Sequence, residues 1–202
     1  MAIKKDYTTK VKLDAFLGIT TVEPKATDSI NAAIDLVDKT TGRNFVAETA
    51  SARKFSGNGG LTIRIDECIE VTLVKRGNDN YGDTYTTISA GGTAGYYLLP
   101  ENYVQRVIPI DHIHLRAYHW IKGFQNNQIT AKWGYSEVCP DDVSWATTII
   151  AGGIYNYSSS GGAGVVKSEK IGNYSVSFQD ESGWDEYNKA LTILNNYKKW
   201  SL

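Results

Sequence analysis

Three histidines in a short stretch are the residues whose types come closest to a metal site. His112, His114 and His119 follow Asp111. On a strand, His112 and His114 share one face, as zinc binding requires, whereas His119 points the other way unless a bulge intervenes, and a fourth ligand is not evident. The pattern favours strand residues that are satisfied by neighbouring hydroxyl groups or that face a partner subunit. A zinc-dependent hydrolase is the weaker alternative.

Two further segments resemble catalytic motifs but have simpler structural explanations. Asp141 and Asp142 stand where a helical pattern begins, and carboxylates there interact favourably with the positive end of the helix dipole. The glycine-rich residues 161–168 lack the spacing of a phosphate-binding loop, because two valines separate Gly164 from Lys167. We therefore interpret the acidic pair as a helix cap and the glycine-rich segment as a flexible connector.

The cysteines and the absence of catalytic signatures also argue against enzymatic chemistry. Cys68 and Cys139 have neither the spacing of a zinc site nor that of a disulfide framework. The sequence has no Gly-x-Ser-x-Gly elbow and no recognisable pairing of a cysteine with a histidine. We therefore predict a protein that is not an enzyme and that has no catalytic, metal or cofactor-binding residues.

The chain also lacks the hydrophobic segments that direct proteins to membranes. Its first residues contain no apolar signal segment, and no apolar run approaches the roughly 18 residues of a membrane span. We expect a soluble product of the cytoplasm with no membrane partner.

Composition excludes binding by bulk charge and is typical of a protein that makes contacts. The formal charge is −1, so the chain as a whole has no electrostatic attraction for DNA. The chain contains 13 Tyr and 5 Trp, which are common in interfaces as well as in cores because they combine a large contact area with a polar group. A β-rich carbohydrate-binding module that stacks sugars on Trp120, Trp133 and Tyr135 is a second hypothesis, from another class of function.

Hydrophobic periodicity divides the chain into helical flanks and a β-rich middle. Apolar residues at helical spacing after Thr9 and after Thr27 predict two helices that end at Gly18 and Gly42. The period then changes to two, and the predicted strands are runs at residues 61–65, 69–73, 84–89, 95–99, 104–110, 113–119 and 128–133. A helix from Asp141, an extended segment and a last helix from about Ser182 follow.

These elements predict an α+β fold. Because neither helical flank is large enough to bury a core alone, we expect the two flanks to pack together as one small bundle. Residues 1–45 supply the first two helices, and residues 137–202 supply the remaining helices with an extended segment at 165–179. Residues 46–136 form a β-rich insertion between helices two and three.

The flanks carry the residues of a family resemblance. The chain resembles the tailed-bacteriophage head-to-tail connector, or head-completion adaptor, proteins. The resemblance covers about half of the chain and is most specific in the run Lys-Ser-Glu-Lys-Ile-Gly-Asn-Tyr-Ser that begins at Lys167. The other matching segments are residues 7–19, 41–45, 48–57, 133–135, 138–143 and 194–199.

The resemblance implies a structural protein of the virion neck. Such adaptors form a homo-oligomeric ring, expected to be a dodecamer, between the capsid portal protein and a tail, tail-completion or stopper protein. Double-stranded DNA passes through the central channel during ejection without specific binding, and a nearly neutral chain suits that passage. The subunit would be made in the cytoplasm of the bacterial host and then reside in the neck.

Interface residues are expected in the extended segment and at the end of the last helix. A head-to-tail ring needs two different complementary patches on each subunit, and an extended segment or a long helix that reaches a neighbour can provide one of them. The candidates are Ser168, Lys170, Ile171, Tyr174, Val176, Phe178, Tyr197 and Trp200.

Overall fold

The computed structural model describes residues 3–159, 167–171, 174–178 and 181–199, and it describes side chains up to residue 159 and from residue 185. The chain forms two compact units, one made of Met1–Phe45 with Val138–Leu202 and the other of Val46–Glu137. The first unit is mainly helical and the second is an antiparallel sheet, so the predicted α+β class is confirmed.

The described elements are, in chain order, α1 (Lys10–Leu17), α2 (Lys25–Thr41), β1 (Ser51–Gly57), β2 (Thr62–Gly77), β3 (Tyr85–Ile88), β4 (Tyr96–Leu99), α3 (Tyr103–Arg106), β5 (Ile110–Leu115), β6 (Gly123–Trp133), α4 (Asp141–Ser159), β7 (Lys167–Ile171), β8 (Tyr174–Phe178) and α5 (Glu181–Asn196).

The first two helices follow their sequence signals closely. The Thr9 hydroxyl caps α1 by accepting a hydrogen bond from the Lys12 backbone N–H at 3.3 Å. Gly18 and Gly42 end α1 and α2 in the left-handed conformation that suits glycine. Helix α2 begins at Lys25, earlier than the signal at Thr27, because the turn at Pro24 already leads into it.

Helix α4 lies at the centre of the helical unit, where it packs against α1, α2 and α5. Its buried threonines are satisfied within the unit, because Thr147 and Thr148 donate to the carbonyl oxygens of Val143 and Ser144 at 2.7 and 2.8 Å. The hydroxyl of Thr148 also lies 2.6 Å from that of Thr8. The helix can therefore be buried around most of its circumference without unpaired side-chain groups at these positions.

The sheet unit has the strand order β1-β6-β2-β5-β4, and β3 pairs with the far end of β2. Strand β2 is one long strand where the sequence predicted two short ones, because register shifts within it allow both runs to stay paired with β5 and β6. A buried cluster that includes Ile63, Ile113, Trp120, Ile129 and Trp133 forms its core.

The predicted strand at residues 104–110 is wrong over most of its length. The segment instead contains the short helix α3, and β5 starts at Ile110. Positive φ angles at Asn102 and Val107 turn the backbone before and after α3. The backbone therefore leaves the extended conformation, and Val104 and Val107 are exposed instead of alternating into a core.

Two buried asparagines tie together the loops at one end of the sheet unit. The side chain of Asn126 accepts from the Gly57 backbone N–H at 2.9 Å and donates to the carbonyl oxygens of Asp79 and Ile121 at 3.0 and 2.8 Å. Asn127 accepts from the Gly77 backbone N–H at 3.1 Å. Both side chains are fully buried, so they replace water as partners for backbone groups that the strands leave unpaired.

The close approach of α1 to α4 depends on a glycine and gives a first prediction. A Cβ atom at Gly152 would lie 2.7 Å from Cε1 of Phe16. We expect Gly152→Val to lower the free energy of unfolding by about 1–3 kcal/mol, because the aromatic ring must move. Chemical denaturation followed by fluorescence measures the change. Ala15→Val, at an exposed position of α1, is the control and should change stability by about 0.5 kcal/mol or less.

The asparagine network gives a second prediction. We expect Asn126→Ala to lower the free energy of unfolding by about 2–3 kcal/mol, because three backbone partners lose their hydrogen bond inside the protein. Asn80→Ala, at an exposed position of the adjoining loop, should change it by about 0.5 kcal/mol or less. Equal stability of the two variants would show that water replaces the Asn126 side chain.

Candidate interaction site

The predicted interface residue Tyr197 lies just after α5 and is held by the helical unit itself. Its ring packs edge to face against Phe45, with centroids 5.4 Å apart, and its hydroxyl lies 3.0 Å from both carboxylate oxygens of Asp142. Arg43 donates through Nε to the Tyr197 carbonyl oxygen. The Lys199 backbone N–H donates to the Thr41 carbonyl oxygen at 2.8 Å. Hydrogen bonds therefore hold the C-terminal end of α5 against the C-terminal end of α2 and the N-terminal end of α4.

A second polar cluster continues from Phe45 to the N-terminal segment. Tyr7 is fully buried, and its hydroxyl donates to Asp38 at 2.5 Å and accepts from the Phe45 backbone N–H at 2.7 Å. Burial, together with the hydrogen bond to the Asp38 carboxylate, raises the pKa of Tyr7 far above its usual value. Lys5 pairs with the same carboxylate at 2.5 Å. The Tyr7 hydroxyl therefore remains protonated and acts as a structural link.

The extended segment forms a β-hairpin, β7–β8, whose second strand lies beside α4 and α5. The register pairs Ile171 with Tyr174 and Lys167 with Phe178. Because directly opposite residues share a face, four of the predicted interface residues belong to one face and two to the other. The first group is Ile171, Tyr174, Val176 and Phe178, and the second is Ser168 and Lys170. The remaining predicted interface residue, Trp200, lies outside the described residues. The predicted connector at 161–168 lies outside them at 161–166, and its last two residues, Lys167 and Ser168, belong to strand β7 instead of a loop.

Two of the three histidines lie beside neighbouring oxygen atoms, each in its own place. Nδ1 of His112 lies 2.8 Å from Asp111, and Nδ1 of His114 lies 2.8 Å from the Thr62 hydroxyl across the β2–β5 pair. His119 is exposed after β5 has ended. Within the described residues, no group of three or more His, Cys, Asp or Glu side chains is placed to hold a metal ion. This arrangement favours the structural interpretation of the histidines over the zinc hypothesis.

The tryptophans of the carbohydrate hypothesis are not available for stacking. Trp120 is fully buried and Trp133 is 1% exposed. Trp133 donates through Nε1 to the Ser51 carbonyl oxygen at 2.8 Å. The guanidinium carbon of Arg53 lies over the Trp133 ring, 4.7 Å from the ring centroid. The sequence could not distinguish buried tryptophans from exposed ones, because tryptophans of both kinds occur in β-rich segments. The proposed sugar platform on these two residues is therefore wrong.

The cysteines are equally inaccessible. Cys68 is fully buried and Cys139 is 5% exposed. Burial raises the pKa of each thiol to about 12, so little reactive thiolate is present at neutral pH. Over the part of the chain that the structure describes, no helix is long and apolar enough to cross a membrane.

The sheet unit exposes several large apolar side chains that the sequence patterns did not single out. Tyr81 and Phe124 are 82% and 77% exposed, and Val104 and Val107 are 67% and 75% exposed. A large apolar residue within a turn is the available signal, since Tyr81 stands in the polar run Asn78-Asp79-Asn80-Tyr81-Gly82-Asp83. Single exposed apolar residues are common on protein surfaces, but neighbouring ones, such as Val104 with Val107, mark candidate contacts.

Comparison with known proteins identifies related folds among particle necks. No protein-family model and no curated protein sequence matches the chain. Its fold resembles a chain in the neck of an empty GTA particle computed with C6 symmetry, with 11% identity and a TM-score of 0.56. It also resembles one in the neck of a native GTA particle computed with C12 symmetry, with 12% identity and a TM-score of 0.56. A third, from the virion of a native gene transfer agent particle, has 11% identity and a TM-score of 0.55. Each match covers 100% of this chain and 94% of the other, so the likeness in fold extends over both units.

Proposed function

We propose that this protein is a structural subunit of the neck of a tailed-phage particle, and specifically an adaptor in the ring that joins the capsid portal to the tail. The observation that carries the proposal is the likeness in fold over the whole chain to neck proteins. A chance likeness to a common helical bundle would leave the inserted sheet unmatched. The matches instead include it, and two of the related structures come from necks computed with rotational symmetry.

The distribution of charge is compatible with a channel through which DNA slides. Several positively charged side chains form ion pairs with carboxylates. The distances from nitrogen to carboxylate oxygen are 2.7 Å for Lys4–Asp35, 2.7 Å for Arg53–Asp66 and 2.6 Å for Lys132–Glu70. Paired cations attract phosphates weakly, and the formal charge of the chain is −1. In the proposed ring, double-stranded DNA passes without specific binding.

The proposed role requires no catalysis. The groups that the sequence offered for chemistry have structural contacts: Asp142 accepts from the backbone N–H of Val143 at 2.9 Å, His112 and His114 lie beside oxygen atoms, and both thiols are buried. A ring subunit instead needs contacts with its copies, with the portal protein and with a tail or stopper protein. We assign the hairpin β7–β8 and the end of the chain, including Trp200, to these contacts.

Assembly with portals tests the proposal directly. We expect the purified chain to form rings, twelve-fold by the family resemblance, when it is mixed with portal rings of the same particle, because portal contact aligns the subunits. Electron microscopy with symmetry analysis of the product is the measurement. The chain alone and portal alone are the controls. A chain that stays monomeric with portals at high concentration would argue strongly against the adaptor function.

The C-terminal residues provide a second test, of portal docking. A chain that ends at Tyr197 keeps the contacts of Tyr197 with Phe45 and Asp142, so we expect it to stay folded but to fail to join portal rings because Trp200 is absent. Circular dichroism and portal binding are measured on the same sample. Tyr197→Ala is the matched variant, and it should lower stability by about 2 kcal/mol through lost packing. Normal portal binding by the truncated chain would shift the contact to the hairpin β7–β8.

A further inference from the structure

We propose that the sheet unit carries both halves of a head-to-tail contact between copies of this chain, with Tyr81 and Phe124 of one copy docking in a groove beside α3 of the next. The inference rests on the proposed ring, and it adds the surfaces through which neighbouring subunits meet. We call the pair Tyr81 and Phe124 the aromatic knob. The groove is lined by apolar residues, among them Ile69, Val104 and Val107, and by the charged residues Glu70, Lys132 and Glu137.

The aromatic knob is exposed but stands on a rigid base. The Asp79 carboxylate accepts hydrogen bonds from the backbone N–H groups of Tyr81 at 2.9 Å and Gly82 at 2.6 Å, which fixes the turn. Asn126 bonds the Asp79 carbonyl oxygen and so ties this turn to the segment that carries Phe124. A backbone held in place before binding loses little conformational entropy on docking, and aromatic side chains carried on it have few rotatable bonds to immobilise.

The groove offers an apolar surface of suitable size. Its volume is about 480 Å³, and Val104 and Val107 are 67% and 75% exposed at its edge. Val107 is a β-branched residue at a φ of 51°, a conformation such residues rarely adopt. The backbone thus holds an apolar side chain in a strained position facing solvent, where burial by a partner would be favourable.

The knob and the groove lie at opposite ends of one strand. Phe124 stands near the start of β6, and Lys132, which also lines the groove, stands eight positions later. Because a strand rises by about 3.3 Å per residue, these two positions are about 26 Å apart. A patch and its complement this far apart do not meet within one subunit, and they produce a heterologous contact that closes into a ring or extends as a filament.

Charge at the two surfaces favours a second copy as the occupant. Asp83 is exposed beside the knob, and Arg106 is exposed on α3 beside the groove. Neither side chain makes an ion pair with any residue that the structure describes. Opposite charges at the rim of an apolar contact orient the partners and speed their association. A DNA occupant of the groove is disfavoured because the groove is lined by two carboxylates, Glu70 and Glu137, and one cation, Lys132, and so offers no net attraction for phosphates.

A pair of engineered cysteines tests the contact. The native cysteines, Cys68 and Cys139, are 0% and 5% exposed and leave the background low. In the full chain with Phe124→Cys and Val107→Cys, assembled on portals and oxidised, we expect a ladder of covalent multimers up to the ring. Each single variant should give no ladder. The pair Phe124→Cys and Val11→Cys, which places the second thiol on an equally exposed valine of α1, should also give none.

Truncation of the knob gives an independent measurement. Tyr81→Ser with Phe124→Ser should weaken association between subunits about tenfold or more while the thermal unfolding of the subunit is unchanged, because both side chains are exposed. If this serine variant forms rings on portals at the normal concentration, the knob contact is overturned. It is also overturned if the Phe124→Cys, Val107→Cys protein forms rings that give no covalent ladder. Either result leaves the adaptor function intact. A wild-type chain that forms no ring on portals would instead contradict the adaptor function.

Discussion

Packing of α4 between helices from both ends of the chain is the interaction on which the rest of the structure depends. Helices α1 and α2 precede the sheet unit, and α4 and α5 follow it, yet all four share one core. Each flank alone would leave its apolar stripe in water, so the helical unit forms only when the chain returns. The sheet unit has its own buried cluster within residues 46–137, which lets the chain carry a large insertion at little cost to the helical core.

Both units use buried polar side chains to fix backbone geometry. In the helical unit, Tyr7 links Asp38 to the Phe45 backbone, and Tyr197 links α5 to Asp142. In the sheet unit, Asn126 and Asn127 hold loop backbones. Each group would be expensive to bury unpaired, so these contacts are satisfied in a single arrangement of the segments they join. In the proposed ring, such fixed geometry would present the same surface on every copy.

One exposed aromatic residue of the sheet unit, Tyr81, stands on a turn whose backbone is fixed by hydrogen bonds, and this combination suits a docking surface. Tyr81 projects from a turn fixed by Asp79, and Val107 stands at a strained position after α3. Mobile loops would lose entropy on binding, whereas preformed ones lose little. Several cations are paired with carboxylates, as Arg53 is with Asp66 and Lys132 with Glu70. In the proposed ring, such paired cations would attract DNA weakly.

The sequence by itself determined the fold class, the helical flanks and several element ends, because caps, glycine stops and periodicity act over a few residues. Helix α1 is capped by Thr9 and ends at Gly18 as their residue types require, and the alternating runs other than 104–110 overlap strands. Tertiary structure alone decided which residues are buried and which distant segments contact each other. It buried Trp120 and Trp133, joined two predicted strands into β2, replaced a predicted strand by α3, and brought Tyr197 to Asp142 across 55 positions. Local patterns cannot specify these outcomes, because burial and pairing depend on which segments the folded chain brings together.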